Sequence, residues 1–312
     1  MAGQDQGSCQ TGMMDKALNI PPAWERLDFS RLGGILMVLG APDVGKSTFA
    51  QYLYRRICAS SAYVAYLDGD PGQSILGPPA TLTLALNARG DASFPPQGRI
   101  WRSFVGSVSP RGHMLPMLTG AFRLTTAARE DGAQAIIHDT SGFVSPVGGG
   151  SNLKLAKIEV LRPTLIFAIQ REQELERLLI PLRRSHRVQV IELSSSPAAR
   201  RRDPATRRGY RTNQFANYFT NSQLLRMNWP RFAIFPGPFF ELGHLVALEN
   251  AAGFTVGLGI VREIDRESKQ IEIQTPLTST NEVDAIRLGN LALDPQTFEG
   301  RHLNHGAVPG WT

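Results

Sequence analysis

Gly40, Gly45, Lys46 and Ser47 follow the order G-x-x-x-x-G-K-S inside the stretch ILMVLGAPDVGKSTF, from Ile35 to Phe49. That is the spacing of a phosphate-binding loop, and its chemistry is the binding of a nucleoside triphosphate. Glycines let backbone N–H groups turn inward onto phosphate oxygens, and the helix that follows directs its positive end at the same charge. Gly40, Ala41, Pro42, Asp43, Val44, Gly45, Lys46, Ser47 and Thr48 form the expected cradle. Within it, Lys46 reaches the β- and γ-phosphates and Ser47 is the expected Mg²⁺ ligand.

Three further groups of residues could act on a triphosphate held there. The run Asp68-Gly69-Asp70-Pro71-Gly72-Gln73-Ser74 closes an apolar stretch, so it sits at a strand tip. Asp70, with Gln73 beside it, can hold metal-bound water or take a proton from an attacking hydroxyl. Asp68 stands open between a functional carboxylate and a turn former, because Asp-Gly and Asp-Pro-Gly favour turns. The run His138-Asp139-Thr140-Ser141-Gly142-Phe143 closes another apolar stretch. A D-x-x-G there can sense a γ-phosphate through its Gly N–H, with Thr140 and Ser141 as donors; the alternative is a helix cap or tight turn. Between Arg183 and Arg211 lie nine arginines but only two acidic residues, Glu192 and Asp203, a local charge of +7 in a chain whose total is +6. A helix with so few acids has almost no i, i+4 partners for its arginines, which favours contact with phosphates. Arginines closing over the site from a hinged segment would neutralise the transferring group. Arg111, in SPRGH, could track a nucleic-acid backbone, whereas His113 in the same motif is more readily structural.

The elements that must position these residues are legible as alternating apolar runs and helix-length stretches. Strands are expected at Ile35–Leu39, Tyr63–Leu67, Gln134–His138, Thr164–Ile169 and Val188–Leu193. Helices are expected at Ser47–Ala59, His113–Glu130, Lys154–Leu161 and Gln173–Arg184. This pattern implies an α/β fold, a doubly wound parallel sheet covered on both faces with ligands at the carboxyl ends of its strands. After Arg231 come the short β-like runs Phe232–Phe235, His244–Glu249, Thr255–Asp265, Gln270–Thr275 and Ala285–Leu293, a small C-terminal β module. The expected organisation is a polar tail over 1–33, a nucleotide-binding domain over 34–230 with its arginine-rich lid at about 194–219, and the module over 231–312. The two cysteines, Cys9 and Cys58, have no paired or metal-like spacing, so a reducing, cytoplasmic compartment is expected. No basic-then-apolar leader and no membrane-length apolar run are apparent, so no membrane partner is expected.

Taken together, GAPDVGKST (Gly40–Thr48), DGDPGQS (Asp68–Ser74), FVGSVSPRGH (Phe104–His113), DTSGFV (Asp139–Val144) and ANYF (Ala216–Phe219) resemble the RNA 5′-hydroxyl kinases. This P-loop family includes the tRNA-splicing and pre-ribosomal-RNA-processing kinases and their archaeal and bacterial relatives. VALENAAGFTVGLGIVREID (Val246–Asp265) also resembles the terminal β module of archaeal members. The resemblance implies a P-loop NTPase fold and an ATP- and Mg²⁺-dependent kinase that phosphorylates the 5′-hydroxyl end of RNA or DNA. It implies that Asp70 activates the hydroxyl and helps hold the metal through water, and that Gln73 orders the metal's water shell. Thr140, Ser141 and Gly142 match a clasp on the substrate, where Phe143 replaces the usual Trp. Lid arginines would stabilise the transferring phosphoryl group. Arg207 and Arg211 stand as the candidate pair, with Arg200, Arg201, Arg202 and Arg208 open as alternatives because Asp203-Pro204 interrupts the helical spacing. Two other readings compete. One is a nucleotide switch of the signal-recognition or partitioning type, although the loop lacks a second lysine and no N-K-x-D follows Ile169. The other is an adaptor that binds ATP and RNA without catalysis.

Overall fold

A computed structural model describes residues 20–303, apart from 30, 31, 61, 62, 89 and 197. Most of the expected tail, Cys9, Pro197 of the lid and the last stretch of the C-terminal module, 304–312, lie outside the described residues. A short helix α1, Pro22–Glu25, is followed by β1 (Gly34–Gly40), α2 (Lys46–Cys58), β2 (Val64–Gly69), β3 (Thr81–Leu86) and β4 (Ile100–Phe104). Next come α3 (Met114–Glu130), β5 (Ala135–Thr140), α4 (Gly150–Leu161), β6 (Leu165–Gln170), α5 (Glu176–Ser185), β7 (Gln189–Ser194) and α6 (Pro204–Phe219).

These first seven strands make one sheet in the order β4-β3-β2-β5-β1-β6-β7. The neighbours of β1, β5 and β6 are all parallel, whereas β3 and β4 return antiparallel at one edge. Side chains of β1 alternate between two cores: Ile35, Met37 and Leu39 on one face, Leu36 and Val38 on the other. That period of two, apolar on both sides, is what a strand at the centre of a doubly covered sheet requires. Strands β3 and β4 went unread because no helix separates them from β2, so the strand-helix alternation breaks there.

A second seven-stranded sheet follows: β8 (Gln223–Asn228), β9 (Ala233–Phe235), β10 (His244–Glu249), β11 (Thr255–Asp265), β12 (Gln270–Thr275), β13 (Ala285–Leu293) and β14 (Gly300–His302). Its main path runs β14-β13-β10-β11-β12-β8, with β9 parallel to β13. It takes its first strand, β8, from the near side of the boundary expected at 231; only Met227 of that edge strand is buried, which leaves little apolar signal to read. The sheets meet where Gly106 and Gly289 pack backbone to backbone: Asn290 N donates to Gly106 O at 2.7 Å, and a Cβ on Gly289 would lie 2.9 Å from Gly106 Cα.

Helix α6 links the two sheets, and its start corrects the sequence reading. Asp203 and Pro204 do not interrupt a helix; they begin one, with the Asp203 side chain accepting from Thr206 N at 2.8 Å and Pro204 in the first turn. At the other end Phe215 and Phe219 are buried among Phe104, Leu245, Leu258 and Leu291, and Leu258 N donates to the Tyr218 hydroxyl at 2.9 Å. The apolar end of the arginine helix is therefore rooted between the sheets. Phe215→Leu is expected to cost about 1–2 kcal/mol of folding stability, measured by urea denaturation. Among the described residues, no helix is long and apolar enough to cross a membrane.

Candidate active site

The loop between β1 and α2 is shaped by its backbone. Gly45 is left-handed at φ 98°, as is Asp43 at φ 58°. Gly40 leaves β1 so close to β6 that a Cβ there would lie 2.5 Å from Ile169 O, which excludes any side chain. Lys46 is buried and donates to Ala41 O at 2.7 Å. Burial lowers its proton affinity, while Asp139, Asp70 and Asp43 act in the opposite direction. From the tip of β6, Arg171 donates to the carbonyls of Pro42 and Asp43 and braces the loop from outside.

Strand order places β5 between β2 and β1, so the tips of β2 and β5 bring acids to one edge, beside the phosphate loop that follows β1. Asp68 and Asp139 are direct partners across β2 and β5. Asp68 is structural: its Oδ2 accepts from Ser74 Oγ at 2.7 Å, Ile75 N at 2.6 Å and Leu76 N at 3.0 Å, which folds the chain back beneath Asp70. Burial, with Asp139 beside it, raises the Asp68 carboxyl to about 7. Asp70 instead lines the cavity, and its Oδ1 accepts from Gly72 N at 2.9 Å and Gln73 N at 3.0 Å, so the carboxylate is aimed by its own turn. Gln73 lines the cavity too, with its amide on Gly72 O at 2.6 Å and Arg207 O at 3.4 Å.

Asp139 is the functional group that the turn-motif reading left without a role. It is 3% exposed; Tyr66 donates to its Oδ2 at 3.1 Å, while Oδ1 has no hydrogen-bond partner among the described residues. Burial raises its carboxyl above the ordinary range, with Lys46 and the Ser47 hydroxyl drawing it back down. A buried, half-satisfied carboxylate next to Ser47 suits a hard cation, and with Ser47 it forms an oxygen donor set fit for Mg²⁺. The signal was present in the sequence as an apolar run ending in an acid, one strand over from the phosphate loop.

The segment after β5 closes the cavity opposite the loop. Gly142 passes so near Pro42 that a Cβ would lie 2.8 Å from Pro42 Cα. Thr140 lines the cavity, but its hydroxyl donates to Val38 O at 2.7 Å, so it ties β5 to β1 and is not the phosphate donor expected from sequence. Ser141 is held from behind by buried Lys154, whose Nζ bonds both its carbonyl and its hydroxyl. Phe143 faces the cavity and packs partly on the core. Arg111 lies beside it: a Cβ on Gly148 would be 2.9 Å from Phe143 Cζ and 3.2 Å from an Arg111 nitrogen. His113 occupies the N-cap position of α3 without a side-chain cap bond, and its Nδ1 lies 3.1 Å from Arg111 O, a local structural contact. The glycines at 148–150 make a turn into α4.

Behind this wall Lys157 is fully buried with no hydrogen-bond partner for Nζ among the described residues. Burial lowers its affinity for a proton to about 7 from 10.5, with Asp70 acting weakly the other way. Folding therefore expels a proton from Lys157 between those two values, and the chain loses stability as pH falls through that window. Lys157→Met is expected to raise the melting temperature, by little near pH 10 and by progressively more towards pH 7.

The cavity so enclosed is about 900 Å³, and α6 with the segment before it forms its roof. Arg200, Arg202, Arg207 and Arg211 line it. Arg183 does not: it is paired on α5 with Glu176 at 2.8 Å and Glu192 at 2.7 Å, so that part of the basic stretch is a surface ion-pair network. Nor is the roof a loose flap. Tyr210 Oη donates to Ser74 O at 2.7 Å and Gln214 Nε2 to the same oxygen at 3.1 Å, strapping α6 to the turn that carries Asp70.

The family described as mRNA cleavage and polyadenylation factor CLP1 P-loop matches residues 40–221. A polyribonucleotide 5′-hydroxyl-kinase of Thermococcus kodakarensis is 32% identical, the match covering 88% of this chain and 78% of that one. One from Pyrococcus abyssi is 25% identical, covering 86% and 90%. Among solved structures, one titled as wild-type Clp1p-Pcf11p complex aligns with a TM-score of 0.65 at 12% identity, covering 86% of this chain and 77% of that one, a likeness of fold. The matched span runs from the first glycine of the phosphate loop past the end of α6, more than half the sequence, and on that ground this chain belongs to the CLP1 P-loop family.

Proposed function

We propose that this protein is a polynucleotide 5′-hydroxyl kinase that moves the γ-phosphate of ATP to the 5′ end of an RNA or DNA strand. The observation that carries this reading is Asp70: a carboxylate oriented by two N–H groups of its own turn faces the same cavity as Lys46 and the lid arginines. A pure nucleotide switch has no need of a carboxylate placed to deprotonate a second substrate.

In this reading the loop amides and Lys46 hold the triphosphate. Ser47 and Asp139 would hold Mg²⁺, with Asp70 and Gln73 lining the cavity beside them. The metal, when bound, neutralises charge on the phosphate oxygens. Asp70 accepts the 5′-hydroxyl proton as that oxygen bonds to the γ-phosphorus; the bond to the β,γ-bridging oxygen breaks and ADP leaves with it. Arg211 faces the transferring group. Ser141, Gly142 and Phe143, with Arg111 at their flank, receive the strand's terminal nucleotide. The names of the archaeal relatives support a polyribonucleotide substrate. Incubation with γ-labelled ATP and a 5′-hydroxyl oligonucleotide is expected to label RNA or DNA ends and to leave a 5′-phosphorylated control unlabelled. Nucleotide hydrolysis with no transfer to either acceptor would overturn the reading in favour of a switch, and stable ATP binding without turnover would favour an adaptor.

A further inference from the structure

Asp43 is the one acid of the phosphate loop, and although it borders the cavity its carboxylate is spent on the lid. It is 4% exposed, accepts from Arg202 N at 3.1 Å and Arg202 Nε at 3.0 Å, and takes a further hydrogen bond from the Arg207 guanidinium. All three donors belong to the lid, more than 150 residues away along the chain: Arg202 precedes the Asp203 cap of α6 and Arg207 lies in its first turns. The loop adopts a left-handed φ of 58° at Asp43, tolerated by few residues besides Gly, Asn and Asp. Arg171 then bonds the Asp43 carbonyl, so that both the main chain and the side chain of this residue are occupied by arginines from different elements.

We infer that Asp43 is a positioning residue that latches the arginine lid onto the phosphate loop, and that this latch divides the lid arginines by task. Arg202 and Arg207 hold the lid down. Arg211, one turn further along α6, has no carboxylate partner among the described residues and lies within the electrostatic reach of Asp70. The division rests on the kinase reading only for what Arg211 does; the latch itself is a matter of three hydrogen bonds between two segments. It also accounts for the acid in the loop: a carboxylate near a triphosphate is electrostatically costly unless its charge is consumed elsewhere, and two guanidiniums consume it. With Ser74 bonded to Tyr210 and Gln214, and Phe215 and Phe219 rooted between the sheets, α6 is fixed at three places along its length. The Asp43 fixing joins α6 to the nucleotide loop, beside the bond from Ser195 Oγ of the preceding lid segment to Val44 O at 3.1 Å.

The test uses Asp43→Asn and Asp43→Gly, both tolerant of the backbone conformation, Arg202→Ala, and the double variant Asp43→Asn/Arg202→Ala. Two measurements are made on the full chain. Hydrogen–deuterium exchange of the α6 amides, which needs no catalysis, is expected to speed up at residues 204–211 in each single variant and no further in the double, with α3 unchanged. Transfer kinetics are expected to show kcat down by on the order of tenfold to a hundredfold with KM for ATP changed by less than about threefold, because the cradle amides remain while Arg211 is displaced. Unchanged exchange in α6, or single effects that add in the double variant, would overturn the latch. So would a raised KM for ATP at constant kcat, which would make Asp43 a part of the nucleotide cradle. If the wild-type chain transfers no phosphate at all, the kinase reading fails while the exchange measurement still decides the latch.

Discussion

Asp70→Asn is expected to slow phosphoryl transfer to a 5′-hydroxyl oligonucleotide by on the order of 10³-fold, with ATP binding retained. The substitution keeps the shape of the side chain, and the amide oxygen can still accept from Gly72 N and Gln73 N, so the turn survives. What is lost is the base. An amide cannot take the hydroxyl proton, and positioned general bases are commonly worth 10²–10⁴ in rate. The structural roles around it separate cleanly, because Asp68, not Asp70, carries the three hydrogen bonds that fold the segment back. A Kd for ATP within about threefold of wild type, with kcat collapsed, is the expected pattern. Wild-type kcat in Asp70→Asn would remove Asp70 from the chemistry.

That carboxylate was legible in the sequence because turn residues surround it and an apolar run precedes it. The same holds for the phosphate loop, where Gly40 is demanded by a contact of 2.5 Å and Gly45 by a left-handed φ of 98°. The parallel core was legible for a related reason: strands apolar on both faces leave continuous runs, and β1 is one. Where an element serves two masters the signal faded. Strand β8 buries one residue, so its sequence resembles a loop. Thr140 and Ser141 have the composition of phosphate donors, but one hydroxyl is spent on Val38 and the other is held by Lys154, contacts between residues 102 and 13 positions apart that no local pattern encodes. Asp203-Pro204 misled because the pair that ends one helical pattern is also the pair that begins another. The arginine stretch was read as one object, yet its members divide three ways: Arg183 to surface acids, Arg202 and Arg207 to Asp43, and Arg211 to the cavity. Charge count is a property of the sequence, and charge pairing is a property of the fold.

Arg211→Ala is expected to reduce kcat by on the order of 10³-fold or more, and this exceeds the effect expected for Arg207→Ala. Both residues lie on α6 and line the cavity, so charge and location alone would rank them equally. Pairing breaks the tie. The Arg207 guanidinium is bonded to Asp43, so removing it frees a carboxylate and loosens the lid, an indirect loss of the tenfold to hundredfold kind. Arg211 is partly buried and lines the same cavity as Asp70; burial and the neighbouring Arg208 and Arg207 weaken its hold on a proton, and Asp70 counters them. A guanidinium kept in such surroundings gains most when negative charge develops beside it, as on the oxygens of a transferring phosphoryl group, and arginines in that role contribute 10³–10⁵ in rate. Arg211→Lys should recover only part of the loss, since a point charge on a flexible stem replaces a planar fork. Measuring kcat for Arg211→Ala, Arg211→Lys and Arg207→Ala in one series decides the ranking: a larger loss at Arg207 than at Arg211 would exchange the two roles.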